Sequence, residues 1–109
     1  MEYWNDVITE KSWEVLQRIK REFNFALIGG WAAYLYNRTL KSKDIDIIIN
    51  FNELEKIKFK YNIKKNENLR KYELIIDDIE IDIYVTFYSK LIIPLNKIST
   101  TKIESFNVI

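Results

Sequence analysis

Three aspartates and two glycines carry most of the chemistry that this chain of 109 residues can offer. Asp44-Ile45-Asp46 opens an aliphatic run over residues 44–50, and Ile81-Asp82-Ile83 sits inside another. Side chains alternate faces along a strand, so Asp44 and Asp46 point the same way, about 6.6 Å apart. Ile45, Ile47 and Ile49 point to the other face. Ile79, Ile81, Ile83 and Val85 likewise oppose Glu80, Asp82 and Tyr84. If the two strands pair, three carboxylates converge. Two such charges ~4 Å apart repel by about 4 kcal/mol at an effective dielectric of 20, and a cation relieves that cost. Mg²⁺, with its oxygen preference, is the natural ion, and Mn²⁺ its nearest substitute. A solvated acidic sheet face accounts well for Glu80 and Asp78. It accounts less well for two acids that follow Lys41 and Lys43 at the start of an aliphatic strand.

The only glycines, Gly29 and Gly30, stand together behind Phe25-Ala26-Leu27-Ile28. A strand that enters a Gly-Gly turn and then a helix is receptive to phosphate. Glycine lets the backbone approach a ligand closely, and the helix N-terminus presents free N–H groups and partial positive charge. Taken alone, a turn that needs glycine dihedrals explains the pair as well. The G-x-G-x-x-G spacing is missing and no Gly-Lys-Ser/Thr follows, so this is neither a dinucleotide fingerprint nor a Walker motif.

Composition narrows the chemistry. Cysteine and histidine are both absent, which excludes disulfides, thiolate and imidazole metal sites, histidine bases and Ser-His-Asp triads. A net charge of +1 argues against a nucleic-acid module driven by bulk positive charge and leaves room for a local patch. With 48% hydrophobic and 30% charged residues, a packed core is expected. The length fits a single domain over residues 1–109. There is no secretory signal and no apolar run near the ~20 residues of a membrane span, so a cytoplasmic protein without a membrane partner is expected.

The elements that must position the acids and glycines follow from pattern. Thr9 is placed to cap a helix to about residue 23, with Trp13, Leu16, Ile19 and Phe23 near one face. Residues 25–28 read as a buried strand, 31–36 as a helix, 37–43 as a polar connection and 44–50 as a strand. Asn52 and Glu55 stand in capping-box positions for a helix whose inner face is Leu54, Ile57 and Tyr61. Residues 62–68 read as loop. Strands over 71–76 and 79–87 flank an Asp77-Asp78 hairpin turn. Pro94 interrupts a tail whose last segment, about 102–108, offers an edge strand. The fold class expected is α/β (α+β), a mixed sheet of four to five strands with helices on one face.

On these residues a family resemblance rests. The stretch Ala26-Leu27-Ile28-Gly29-Gly30-Trp31-Ala32-Ala33-Tyr34-Leu35, then Arg38, then Ser42-Lys43-Asp44-Ile45-Asp46-Ile47, resembles the core motif of the DNA polymerase β-type nucleotidyltransferase superfamily. The Arg, and the Ser two residues before the first Asp, most resemble the abortive-infection toxin branch and its archaeal and bacterial relatives. Ile81-Asp82-Ile83 matches the family's third acid. The likeness covers about residues 25–85.

The resemblance implies a minimal nucleotidyltransferase fold and Mg²⁺-dependent transfer of a nucleoside monophosphate from an NTP to a hydroxyl on tRNA, protein or a small molecule. Gly29 and Gly30 would hold the triphosphate, Asp44 and Asp46 would ligate the metal, and Asp82 would complete the second ion site and help activate the acceptor. Ser42 would bond the triphosphate. Arg38 and Lys43 could contact phosphate or could be solvated loop charges. Trp31 and Tyr34 could stack on a base, though aromatics at a helix start more often join the core. Glu80 is the alternative third ligand. The family's C-terminal helical segment is not discernible after Pro94. The alternatives are therefore a truncated, non-catalytic module that binds nucleotide or a protein partner, in the manner of a toxin–antitoxin pair, and a purely structural domain. A homodimer or a helical partner could cover the cleft.

Overall fold

The computed structural model describes residues 2–38, 40–86, 88 and 100–109. Helices α1 (Glu2–Glu22), α2 (Gly29–Asn37) and α3 (Phe51–Lys60) alternate with strands β1 (Ala26–Ile28) and β2 (Ile45–Ile49). Strands β3 (Lys64–Asn66), β4 (Lys71–Ile76), β5 (Ile79–Val85), β6 (Thr101–Ile103) and β7 (Phe106–Val108) complete the chain. The seven strands form one mixed sheet in the order β3-β4-β5-β2-β1-β7-β6. The α+β class is as expected from the sequence, but the strand count is higher than the four to five anticipated.

Both extra strands come from segments whose pattern is weak. Lys64-Lys65-Asn66 carries no apolar alternation and pairs with β4 only as an edge. The 102–108 segment is two strands rather than one, folded at Glu104 and Ser105, which both adopt left-handed dihedrals. Its apolar half, β7, is not an edge: it lies parallel to β1, and β6 takes the rim.

Two expected caps are absent. α1 begins at Glu2, so Thr9 lies inside the helix, buried, with its hydroxyl donating to the Asp6 carbonyl 3.2 Å away. A β-branched hydroxyl can bond back along its own helix as readily as it caps one. α3 is preceded by Asn50, two residues earlier than Asn52, and its N-cap makes no side-chain hydrogen bond. The Asp77-Asp78 turn is as read: φ of 50° and 68° give the two-residue turn whose twist suits a hairpin. Pro94 lies outside the described residues. Among those described, no helix is long and apolar enough to cross a membrane.

One aliphatic face holds the sheet. Leu27, Ile45, Ile47, Ile49, Ile81 and Ile83 are essentially inaccessible. They form a single cluster with Leu16 and Ile19 of α1, Trp31 and Leu35 of α2, and Leu54 and Ile57 of α3. Trp31 belongs to this core, its indole N–H donating to the Ser12 hydroxyl at 2.8 Å. The alternation that buries these residues turns Asp46, Asp82 and Tyr84 to the opposite face.

Candidate functional site

Three strand ends bring the predicted residues together. β1 runs antiparallel to β2, with Ile28 opposite Asp46. β2 runs parallel to β5, with Asp46 beside Asp82. Gly29 follows Ile28 directly, so the glycine turn, Asp46 and Asp82 form one row across the sheet centre, each strand ~4.8 Å from the next.

Gly29 has φ +71°, the left-handed region that an L side chain rarely adopts. A Cβ there would lie 3.0 Å from the Asp46 carboxyl carbon. The turn therefore needs glycine twice over, for its dihedral and for the carboxylate packed on it. Gly30 is the second residue of α2, and a Cβ there would meet the Ser42 hydroxyl at 2.7 Å. The Ser42 hydroxyl donates to the Asp44 carbonyl at 2.8 Å and so shapes the approach to β2. Both glycines thus contact the segment that carries the acids.

Asp46 is the perturbed group. Burial raises its pKa, and the charge and hydrogen bond of Asp82, then the charge of Asp44, raise it further against the pull of Lys71, to about 6. A hydrogen bond between two carboxyl groups needs one proton between them, as expected where two acids share a site. Asp44 stands exposed in the bend before β2. Among the described residues no three acidic side chains cluster as a ready-made metal cage. The structure therefore joins Asp46 and Asp82 and leaves Asp44 at the margin, two residues before Asp46 and outside β2. Glu80 is exposed near the hairpin turn, opposite Ile75.

Lys71 is the residue that motif reading missed. It is 9% exposed. Its ammonium lies 3.0 Å from Asp82 Oδ1 and 3.6 Å from Glu73 Oε2. Burial lowers its pKa, but the hydrogen bond and charge of Asp82, with Tyr84 and Glu73, outweigh this and raise it. Tyr84 is raised too, by burial and by the two aspartates, against Lys71. Lys71 could have been found from the turn. A two-residue loop at Asp77-Asp78 sets Ile76 opposite Ile79, hence Glu73 opposite Asp82, and Lys71 diagonal to it. A cleft of about 130 Å³ lies here, lined by Lys71, Glu73, Glu80 and Asp82 among others.

The remaining predicted contacts lie apart from the pair. Arg38 closes α2 in a left-handed conformation, pairs with Glu104 at 2.8 Å and packs over the Tyr34 ring. Lys43 is exposed, one residue before Asp44.

No family model matches the chain, and no curated protein or solved structure matches it significantly.

The donors present fit an oxygen-ligated divalent ion. They are carboxylates, with one anion held at an energetic cost beside another, and that is the arrangement a cation stabilises. Lys71 already offsets part of the charge on Asp82, so Asp46, with Asp44 beside it in sequence, is the less compensated side of the pair.

Proposed function

We propose that this chain is a nucleotidyltransferase-type domain of the minimal fold, binding an NTP with Mg²⁺ and transferring its nucleoside monophosphate to a hydroxyl, with the α–β phosphoanhydride broken and pyrophosphate released. The observation that carries the reading is the row formed by the Gly29 turn, Asp46 and Asp82, in which the glycine packs directly on the carboxylate. The free N–H groups at the start of α2 and the Ser42 hydroxyl would receive the triphosphate. Asp44 and Asp46 would hold the metal, with Asp82 the third acid. When bound, the ion supplies electrostatic stabilisation of the phosphate oxygens. Asp82 would take the acceptor's hydroxyl proton, with Lys71 positioning its carboxylate at 3.0 Å. Lys43 and Arg38 border the same connection and are second-choice phosphate contacts.

A second reading has one observation in its favour. An ammonium paired with Asp82 suits a module that binds nucleotide, or a protein partner, without turnover. Incubation with labelled NTPs, Mg²⁺ and tRNA, protein or small-molecule acceptors separates the two. Label transfer that is lost in Asp46→Ala supports the enzyme, and metal-dependent NTP binding without transfer supports the module. Transfer that survives both Asp44→Ala and Asp46→Ala sinks the assignment.

A further inference from the structure

Charge is balanced over the chain but not along it. Residues 56–71 carry seven Lys or Arg against Glu67 alone. The fold sets Lys58, Lys64, Lys65 and Arg70 at one rim of the sheet, from the second half of α3 through the edge strand β3 to the start of β4, while Lys56 and Lys60 pair with Glu53 and Glu22 and Lys71 pairs with Asp82. Lys58 lies 5.6 Å from the centre of the Tyr72 ring. Lys65 and Arg70 lie 5.0 and 5.7 Å from that of Tyr88, and the two rings are 5.6 Å apart. Three cations thus gather on two touching tyrosines. The carboxylate nearest Lys65 is Glu67, at 3.8 Å. Among the described residues, neither Lys58 nor Lys64 makes an ion pair.

Lysine on an edge strand also discourages edge-to-edge association, which accounts for Lys64 and Lys65. It does not account for Lys58 over Tyr72 and Arg70 over Tyr88, two rings in contact. Nor does it account for Phe59, which is 96% exposed between two lysines. Two clefts meet at this rim. One of about 320 Å³ is lined by Lys58, Tyr61, Lys65 and Tyr72 among others, and one of about 560 Å³ by Lys64, Lys65, Asn66 and Glu73 among others. Both are lined by Lys65 of the edge strand β3, and the second also by Glu73, whose neighbour on β5 is Asp82.

We propose that this rim binds single-stranded nucleic acid, with phosphates on Lys58, Lys64 and Lys65 and a base stacked on Phe59. Cations track a backbone, and exposed rings stack unpaired bases, which a duplex keeps inside. An acidic peptide or an anionic membrane would use the charge and leave the rings idle. That the bound strand also presents its end to Asp82 as an acceptor rests on the function proposed above. The binding itself does not.

The test is fluorescence anisotropy with a labelled 12-nucleotide single strand, as RNA and as DNA, in the absence of NTP and Mg²⁺. The expected result is binding at least about tenfold tighter than to the matching duplex. The plot of log affinity against log salt should have a slope near −2, from about 0.7 per phosphate over three contacts. Lys58→Ala with Lys64→Ala should weaken binding about tenfold and flatten the slope. Phe59→Ala, at a position too exposed to disturb folding, should weaken it about fivefold without changing the slope. Equal affinity for the duplex, for a polyglutamate peptide or for anionic vesicles would overturn the proposal, as would variants that bind like the parent. Metal-dependent NTP binding, read separately, decides the other question. Strand binding without it sinks the nucleotidyl reading alone, and NTP binding without strand binding sinks this one alone.

Discussion

Replacing Asp46 by Asn should make the protein more stable, and only above the acidic range. Asp46 titrates near 6 in the folded chain against 3.8 for the free side chain, so the folded state holds a proton that the unfolded state has released. Well below pH 3.8 both states are protonated and the site costs nothing, and at pH 4 little of the cost has yet appeared. Stability is then lost as pH rises through the window from 3.8 to about 6, because the unfolded chain ionises first and without penalty. A shift of roughly two units corresponds to about 3 kcal/mol. Asp46 is only half-buried, and solvent screening reduces this to about 1–2 kcal/mol. The Asn amide can still donate to Asp82, so the hydrogen bond survives without the charge.

Thermal denaturation of both proteins in EDTA, stepped from pH 4 to pH 8 at constant ionic strength, measures the effect. For a chain of this size 1 kcal/mol moves Tm by roughly 4 °C. Asp46→Asn should therefore match the parent at pH 4 and exceed it by about 4–8 °C at pH 8. Millimolar Mg²⁺ should raise the parent's Tm more at pH 8 than at pH 5, and should not raise the variant's. A gap of the same size at pH 4 and pH 8, or a variant less stable than the parent at pH 8, would refute the reasoning, since the like-charge cost would then be absent.

Three other substitutions probe the frame of the site. Gly29→Ala combines a φ of +71° with a Cβ driven into Asp46, and should cost about 2–3 kcal/mol by chemical denaturation. Lys71→Met removes the ammonium from Asp82 and Glu73 and should cost about 1–3 kcal/mol at pH 7, with the loss shrinking at pH 3, where the carboxylates are protonated. Asp77→Asn with Asp78→Gly puts the preferred pair into a turn already at φ 50° and 68°, and should raise stability by about 1 kcal/mol; no gain in the denaturation midpoint would mean the aspartates carry other contacts, such as those to Lys11 and Arg18.

Legibility followed hydrophobic contrast. β2, β4 and β5 were readable because aliphatic residues alternate there or run unbroken, and their burial matches the pattern. β3 was not, because Lys64-Lys65-Asn66 has no apolar face and exists only through pairing with β4. The helix start expected at Thr9 lies seven residues inside α1, because a Thr before an apolar stripe reads as a cap although its hydroxyl here bonds back to Asp6 within the helix. At the site, the union of Asp46 with Asp82 and of both glycines with the acid segment could be anticipated from alternation and motif order. Lys71 could not be found by motif, since its role depends on a diagonal across a hairpin. The engagement of Arg38 with Glu104 depends on β6 and β7 folding back beside β1, which local pattern does not encode.

The acid pair does not hold the sheet together, and that is why the fold can carry it. β2 and β5 are fixed by Ile45, Ile47 and Ile49 against Ile81, Ile83 and Val85, all on the core face. A slip of one residue would turn every one of these outward, so the register is locked from behind. The same lock forces Asp46 and Asp82 to remain side by side on the other face, whatever their charges prefer. Their repulsion is thus sustained by burial energy from residues that never touch them. A neutral residue at 46 would leave the core intact and the chain more stable, whereas one at 82 would strip buried Lys71 of its partner. The pair is thus a cost that the fold sustains beside a glycine turn, with a lysine on one of its members, and the nucleotidyltransferase-type reading proposed above gives that cost a use.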